Sequence, residues 1–422
     1  MVSPVNPQAE GFVVPVRIAA ICGMALAVVA CSRGGAPPSD RIWDAKAAAS
    51  YLDQRMEWWS TWKGAARDHG TFCLSCHTAV PYALARPALR ATLAEPAAAA
   101  PERQLTDDVR RRVRLWGEAS PLYADRNGAE GRGTEAVLSA LMLAWGDARS
   151  KRLSADTIAA FDHMWAEQHA SGDSVGAWSW ANSDLSPWED SDAQYYGAAL
   201  AALAVGIAPE SYQSRPQVQA PLQLLLNYLV REYPAQSLHN RLILLWAGTK
   251  LPGLLDADQR QSLIAQVLGV ENRDGGWSLS TLVRKSGKGN TLLTDPDSDG
   301  YATGLVTLVL EQAAMPVAAP EVKRSLTWLA RNQQGHSGSW ILGQEGSWVA
   351  RSLNKWRNPW SNVGRFMSDA ATAYAVLALT EPSQAEPGAS LRAQGSATSR
   401  SNTASNWESR REIVATTDII GK

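Results

Sequence analysis

The chain has 422 residues, a formal net charge of -1, 45% hydrophobic residues and 19% charged residues. A chain of that length and balance buries a substantial core, and it carries no charge excess that would hold nucleic acid or an acidic surface. Tryptophan outnumbers phenylalanine by 18 to 4, so the large aromatic volume comes as indole, a broad apolar face with one N–H donor.

The first element in chain order is an apolar run of 13 residues, Ile18 to Ala30, preceded by Arg17. It is too short to span a bilayer and has the length of a secretory core. It ends in Val28-Val29-Ala30-Cys31, which resembles the bacterial lipobox; an ordinary signal peptide with a coincidental cysteine is the alternative. Residues 1–30 are therefore expected to be a lipoprotein signal, with Cys31 as lipid acceptor and residues 31–41, rich in Gly, Pro and Ser, as a tether that cannot fold. The expected place is the bacterial cell envelope, on the periplasmic side, with the membrane as partner through the anchor.

Four cysteines are present. Cys22 leaves with the signal and Cys31 takes the lipid, so Cys73 and Cys76 remain, with His77 directly after. This is the spacing of covalent c-type haem attachment, in which two thiols bind the haem and the adjacent imidazole binds iron. Covalent haem c is the expected cofactor, His77 the proximal ligand, and His69 or Met56 a candidate distal ligand. A disulfide or redox pair is the competing reading. A zinc site would need two more nearby ligands. Trp58, Trp59 and Trp62, one turn apart just upstream, wall such a pocket or fill core.

From residue 42 onward the apolar spacing is helical almost throughout. Helices are expected near 43–63, 77–94, 105–118, 133–148, 154–169, 191–206, 217–232, 236–249, 256–269, 298–314, 319–332 and 368–379, in about six antiparallel pairs. Three pairs share a pattern: an outer helix, a Gly-x-Trp turn (Trp178, Trp277, Trp340), a loop, a Ser-Asp start (191–192, 298–299, 368–369) and a small-residue inner helix. Gly near a helix end supplies the left-handed residue that stops it, and Ser or Asp caps the next helix. Arg110, Arg111, Arg112 and Arg114 read as a solvated face. His163, His169, His239 and His336 show no metal-ligand spacing.

The segments 322–340, VKRSLTWLARNQQGHSGSW, and 270–279, VENRDGGWSL, resemble the Gln-Trp repeats of the squalene-hopene cyclase and protein prenyltransferase superfamily. The resemblance covers roughly 105–380 and implies an all-α fold: a single α/α toroid with a central cavity. Residues 42–104 then form a helical haem-attachment segment, and 381–422 a disordered tail. Cyclases of that superfamily use an Asp from an Asp-x-Asp-Asp motif as acid. The nearest match is Asp295-Pro296-Asp297-Ser298-Asp299-Gly300, with Gly where the last Asp is wanted. Asp297 and Asp299 are the candidate catalytic acids, against capping as the plainer use of a repeated Ser-Asp. The same stretch matches the start of a calcium loop, with Val306 at the position of the bidentate Glu.

The leading expectation is a lipid-anchored monohaem c-type protein that transfers electrons or binds a small ligand at the membrane. Its partners would be a hydrophobic or quinone-like molecule or a redox protein, and no nucleic acid. The first alternative is a terpenoid or lipid isomerase or lyase with an Asp acid. The second is a non-catalytic binding lipoprotein with a Cys73–Cys76 disulfide.

Overall fold

A computed structural model describes residues 43–122, 128–283, 294–335, 344–354 and 357–380. The expected signal, Cys31, the tether, His336, Trp340 and the tail lie outside these residues. Twelve helices carry the described fold: α1 (Ala45–Thr61), α2 (Ala79–Thr92), α3 (Ala100–Arg114), α4 (Gly128–Asp147), α5 (Ala155–Ala166), α6 (Ala193–Ile207), α7 (Pro216–Glu232), α8 (Leu238–Lys250), α9 (Ala257–Leu268), α10 (Gly300–Gln312), α11 (Pro320–Asn332) and α12 (Phe366–Thr380). They match the twelve expected from periodicity. Two four-residue helical turns and three short 3-10 turns join them. Among the described residues, β pairing is limited to two isolated bridges.

The even-numbered helices form a closed ring. α2 touches α4, α4 touches α6, α6 touches α8, α8 touches α10, α10 touches α12, and α12 returns to α2. The odd-numbered helices pack outside them. This is an all-α toroid of six helix pairs, as the small-residue inner helices imply. Inner helix α6, AQYYGAALAALAVGI, is buried along nearly its whole length, and such a helix must be apolar on every side. Outer helix α11 has a buried stripe of Val322, Ser325, Trp328 and Leu329 and is otherwise exposed or partly so.

The repeated turn explains how neighbouring pairs are held. Gly176, Gly275 and Gly346 each have positive φ, near 93°, 89° and 84°, and each stands two residues before a fully buried Trp: Trp178, Trp277 or Trp348. Trp348 thus stands in the third turn of the pattern, and the expected Trp340 lies outside the described residues. A Cβ at these glycines would collide with Leu224 of α7, Arg324 of α11 or Ala47 of α1, so each turn rests directly on the next outer helix. Each indole N–H reaches back to a carbonyl near the end of its own outer helix: Met164 (2.6 Å), Val267 (2.8 Å) and Leu329 (2.8 Å). A buried donor left unpaired would cost about 1–3 kcal/mol. Gln333 closes the ring. Its amide donates to Gly346 O and Asp44 O and accepts from Asp44 N, joining the last turn to the N-cap of α1. Gln168 makes the equivalent pair of bonds to Gly176 O and Pro221 O.

Two sequence expectations change here. Residues 42–104 are not a segment apart: α1 and α2 are the first pair of the ring, so the toroid begins before residue 105. The basic run is not a solvated face as a whole. Arg112 is fully buried and binds Glu135, Thr71 Oγ1 and Ser120 O, tying α3 to α4 and to the loop before α2. Arg114 is exposed and pairs with Asp156.

Candidate functional site

The motif Cys73-Leu74-Ser75-Cys76-His77 forms the turn into α2. Trp59 donates its indole N–H to Cys73 O (2.7 Å), and Cys73 N donates to Ala65 O (2.8 Å). The Ser75 hydroxyl accepts from Thr78 N (3.2 Å) and Ala79 N (3.0 Å), so Ser75 satisfies two backbone donors at the opening of the helix. His77 is thereby set at the helix entrance, 4% exposed, its ring stacked on Phe366 with centroids 3.9 Å apart. Trp59 meets the imidazole edge-on, and Trp188 flanks it.

The tautomer of His77 follows from its partners. The Asp369 carboxylate accepts four bonds: from Tyr51 Oη (2.9 Å), Arg55 Nε (2.7 Å), Arg55 Nη2 (3.0 Å) and Thr78 Oγ1 (2.8 Å). Thr78 has one hydroxyl proton and gives it to Asp369. The 2.9 Å contact between Thr78 Oγ1 and His77 Nδ1 must then be a bond donated by Nδ1–H. Nε2 is left with its lone pair and makes no hydrogen bond among the described residues. Burial, with the Arg357 and Arg55 cations adding to it, holds the imidazole pKa well below its ordinary value. The ring is neutral at neutral pH.

His77 and Cys73 border a crevice of about 620 Å³ at the end of the ring where the inner helices begin. Its walls come from loops that precede inner helices: Arg67 and Asp68 before α2, Leu122 before α4, Glu189 before α6, and Arg357 and Phe366 at α12. Trp59 and Trp62 supply flat apolar surface. Arg357 lies over the Phe366 ring, 5.4 Å from its centroid. Burial lowers its pKa, and the nearby Glu189 carboxylate works the other way. The crevice thus holds a neutral base, two guanidiniums, two carboxylates and aromatic walls.

Cys76 does not line the crevice. It is buried, and burial together with Glu189 and Cys73 raises its thiol well above the ordinary range. Neither cysteine is disulfide-bonded in the structure, so the Cys73–Cys76 disulfide of the binding-lipoprotein reading is not formed. Neither candidate distal ligand lines the crevice. Met56 is core filler in α1, and His69 stands in a 3-10 turn, 43% exposed, near Asp68. Among the described residues, no group of three or more His, Cys, Asp or Glu side chains is placed to hold a metal ion.

The Asp candidates also resolve. Asp299 is the N-cap of α10. Its Oδ1 accepts from Tyr301 N and Ala302 N (2.9 Å each), and its Oδ2 accepts from Leu279 N (2.6 Å). Burial raises its pKa to about 6 against the lowering effect of those bonds. With both oxygens turned to backbone N–H groups it has no proton aimed at a ligand. Asp297 is exposed, and its backbone N–H donates to Asp295 Oδ1. The oxygens a calcium loop would use are therefore partly committed to the backbone. Ser-Asp is not a uniform cap either: Asp192 makes no side-chain cap bond, and Asp369 lies inside α12 and serves the Arg55 network.

Sequence reading missed Thr78, Asp369, Glu189, Arg357 and Phe366 as members of one site. It also missed a buried chain along the ring interior. Trp188 Nε1 donates to Tyr301 Oη (3.0 Å), which contacts His239 Nε2 (2.9 Å). Asn240 commits its Nδ2 to Asp192 O and Gln236 Oε1, so its Oδ1 accepts from His239 Nδ1 (3.2 Å). His239 therefore accepts the tyrosine proton and is neutral, with burial lowering its pKa to about 4.

No family model and no curated protein matches the sequence. Solved structures do. A structure described as a wild-type glycosidase is 14% identical, covering 80% of this chain and 96% of its own, with a TM-score of 0.45. An inactive α-1,6-mannanase variant from Salegentibacter sp., in complex with α-1,6-mannotriose, is 10% identical over 80% of this chain and 99% of its own, with a TM-score of 0.47. A polysaccharide lyase is 12% identical over 82% and 92%, with a TM-score of 0.33. At these values the likeness assigns no residue a role, and the toroid rests on the helix contacts described above. The expected function, electron transfer or small-ligand binding by a c-type cytochrome, is corrected at the crevice itself, which Cys76 does not line. The crevice also brings neither proposed distal ligand to His77.

Proposed function

We propose that the crevice is an acid–base active site acting on an anionic, hydroxyl-rich substrate, with elimination at a uronate-type sugar as the reaction. The observation that carries this reading is His77, fixed by Thr78 and Asp369, with an Nε2 that makes no hydrogen bond among the described residues, at the border of a crevice that Arg357 also lines. A base needs an available lone pair, a neutral ground state and an orienting partner. A carbon acid beside a carboxylate needs a cation to offset the charge that builds as the proton leaves. His77 Nε2 takes the proton from the carbon next to the substrate carboxylate, which Arg357 faces. The electron pair forms the new C=C bond and expels the adjacent glycosidic oxygen. That oxygen receives the proton from the imidazolium just formed. Trp59, Trp62 and Phe366 offer the flat surfaces on which sugar rings stack. Wild-type protein incubated with uronate polysaccharides is expected to release unsaturated, ultraviolet-absorbing ends, and His77→Asn to lose this by about 10²–10⁴-fold. No product with any such polymer, or an unaffected His77→Asn, ends the proposal.

A second reading concerns the cofactor. The spacing of Cys73, Cys76 and His77 supports covalent haem attachment, and His77 Nε2 is free to bind iron. The fit is partial: Cys73 borders the crevice, whereas Cys76 does not. A bound haem would supply an iron centre. Base and iron ligand would compete for one lone pair, so the two readings exclude each other. The denatured intact mass, from a host with haem c maturation, separates them. The repeated Gln and Trp ties support the narrower likeness to squalene-cyclase-type toroids. Export and lipid anchoring at Cys31 complete the proposal and are tested by fatty-acid labelling of wild type against Cys31→Ser.

A further inference from the structure

A second crevice, about 600 Å³, opens at the opposite end of the ring, between the C-terminal ends of inner helices α2, α4, α6 and α8 and outer helix α3. Its size lies within the ~300–1,000 Å³ typical of small-molecule sites. The inner helices are sealed at mid-length, where Val137, Leu138 and Leu141 are 0% exposed, and they loosen at this end, to 6% at Met142 and Leu143 and 7% at Ala88. Trp145 stiffens the wall by donating its indole N–H to Leu84 O (3.0 Å).

The rim has a different chemistry. Arg90, Arg110, Arg149 and Lys250 border the crevice, against Glu102 and Asp147. Arg90 is tied to Glu102 (3.1 Å), and Arg110 lies 3.8 Å from both Asp107 and Asp156. Asp147 is occupied by Ser154 N and Thr157 Oγ1. Arg149 is exposed and has no partner among the described residues. An aliphatic chamber with a cationic rim and one uncommitted guanidinium is complementary to a molecule with a hydrocarbon tail and an anionic head.

We infer that this crevice binds a single-chain amphiphile with an anionic head, of the fatty-acid class. The tail lies against Leu143, Met142, Ala88 and Leu377, and the head meets Arg149. None of these residues belongs to the mouth crevice, so the inference stands or falls apart from the proposed reaction.

The experiment is calorimetric titration of the full chain with laurate, below its aggregation concentration, and with dodecanol. One laurate per chain is expected, with dodecanol at least tenfold weaker. Arg149→Glu, a surface change, is expected to weaken laurate at least tenfold and leave dodecanol unchanged. Ala88→Phe, which fills the chamber, is expected to abolish both; Leu377→Phe provides a second filler should the first fail to fold. Absence of laurate binding, equal affinity for the alcohol, or indifference of laurate to both Arg149→Glu and a folded filler variant would overturn the inference.

Discussion

At the start of α10, Asp299 spends both oxygens on backbone N–H groups, and the polar interior beside it is neutral: Trp188 to Tyr301 to His239. At the start of α12, Asp369 carries the same Ser-Asp signature into an ionic network with Arg55, Tyr51, Thr78 and, through Thr78, His77. The two inner helices are neighbours with the same opening residues. The difference comes from what faces them. Asp299 looks onto its own unit's turn at Leu279, whereas Asp369 looks onto α1 and α2, which bring a guanidinium and a hydroxyl. A repeated motif therefore brings a carboxylate to the first turn of an inner helix, as its cap at Asp299 and within the helix at Asp369, and leaves its work to the partner element.

The sharpest way to break this contrast is Asp369→Ala. It strands Arg55, whose side chain is 4% exposed, and a buried charge that loses its partner costs roughly 3–5 kcal/mol. Urea unfolding should show a loss of that size together with loss of activity; a loss near 1 kcal/mol would place Asp369 with the caps.

The neutral network is tested by pH. His239 has a folded-state pKa of about 4, below its unfolded value of about 6.5. Its contribution is present above pH 6.5 and lost as pH falls from there towards 4, by up to about 3 kcal/mol. Stability curves of wild type and His239→Gln should converge across that window. Parallel curves would mean that His239 is not held neutral.

Thr78→Val removes the link between His77 and Asp369 while keeping shape. A loss of turnover of roughly ten- to hundredfold is expected, by analogy with other partners that orient a working histidine, with Thr78→Ser restoring it. Val and Ser behaving alike would leave Thr78 as packing only.

The smallest effect belongs to Asp299→Ala, a lost cap worth about 0.5–2 kcal/mol, with Asp299→Asn close to wild type because asparagine caps equally well. Abolished activity with either variant, and the fold intact, would return Asp299 to the chemistry.

Much of this architecture is legible in the residues. Small-residue inner helices, amphipathic outer helices and the Gly and Trp turns read as a toroid because each local choice has one packing consequence. The register of the last turn was hidden because Gly-Ser-Trp occurs twice, at 338–340 and 346–348, and nothing local marks Gly346 as the glycine that meets Ala47 of α1. Of the site, His77 stood out by its spacing from two cysteines. Thr78 and Asp369 did not, since 291 residues separate them and no local pattern pairs a threonine at one helix entrance with a carboxylate in the closing helix. Glu189 and Arg357 were equally silent, being single charges in loops that only ring closure brings to one crevice. Ser75 was silent too: its hydroxyl accepts from Thr78 N and Ala79 N and so holds the turn that sets His77 at the opening of α2.

The central claim is that His77 presents an open Nε2 lone pair to the crevice. Nitrogen NMR of histidine-labelled protein at neutral pH tests it most directly. The expected spectrum shows His77 as the neutral Nδ1–H tautomer with an unprotonated Nε2, and the Nδ1–H signal weakens in Thr78→Val. An imidazolium, an Nε2–H tautomer or an iron-shifted resonance would contradict it.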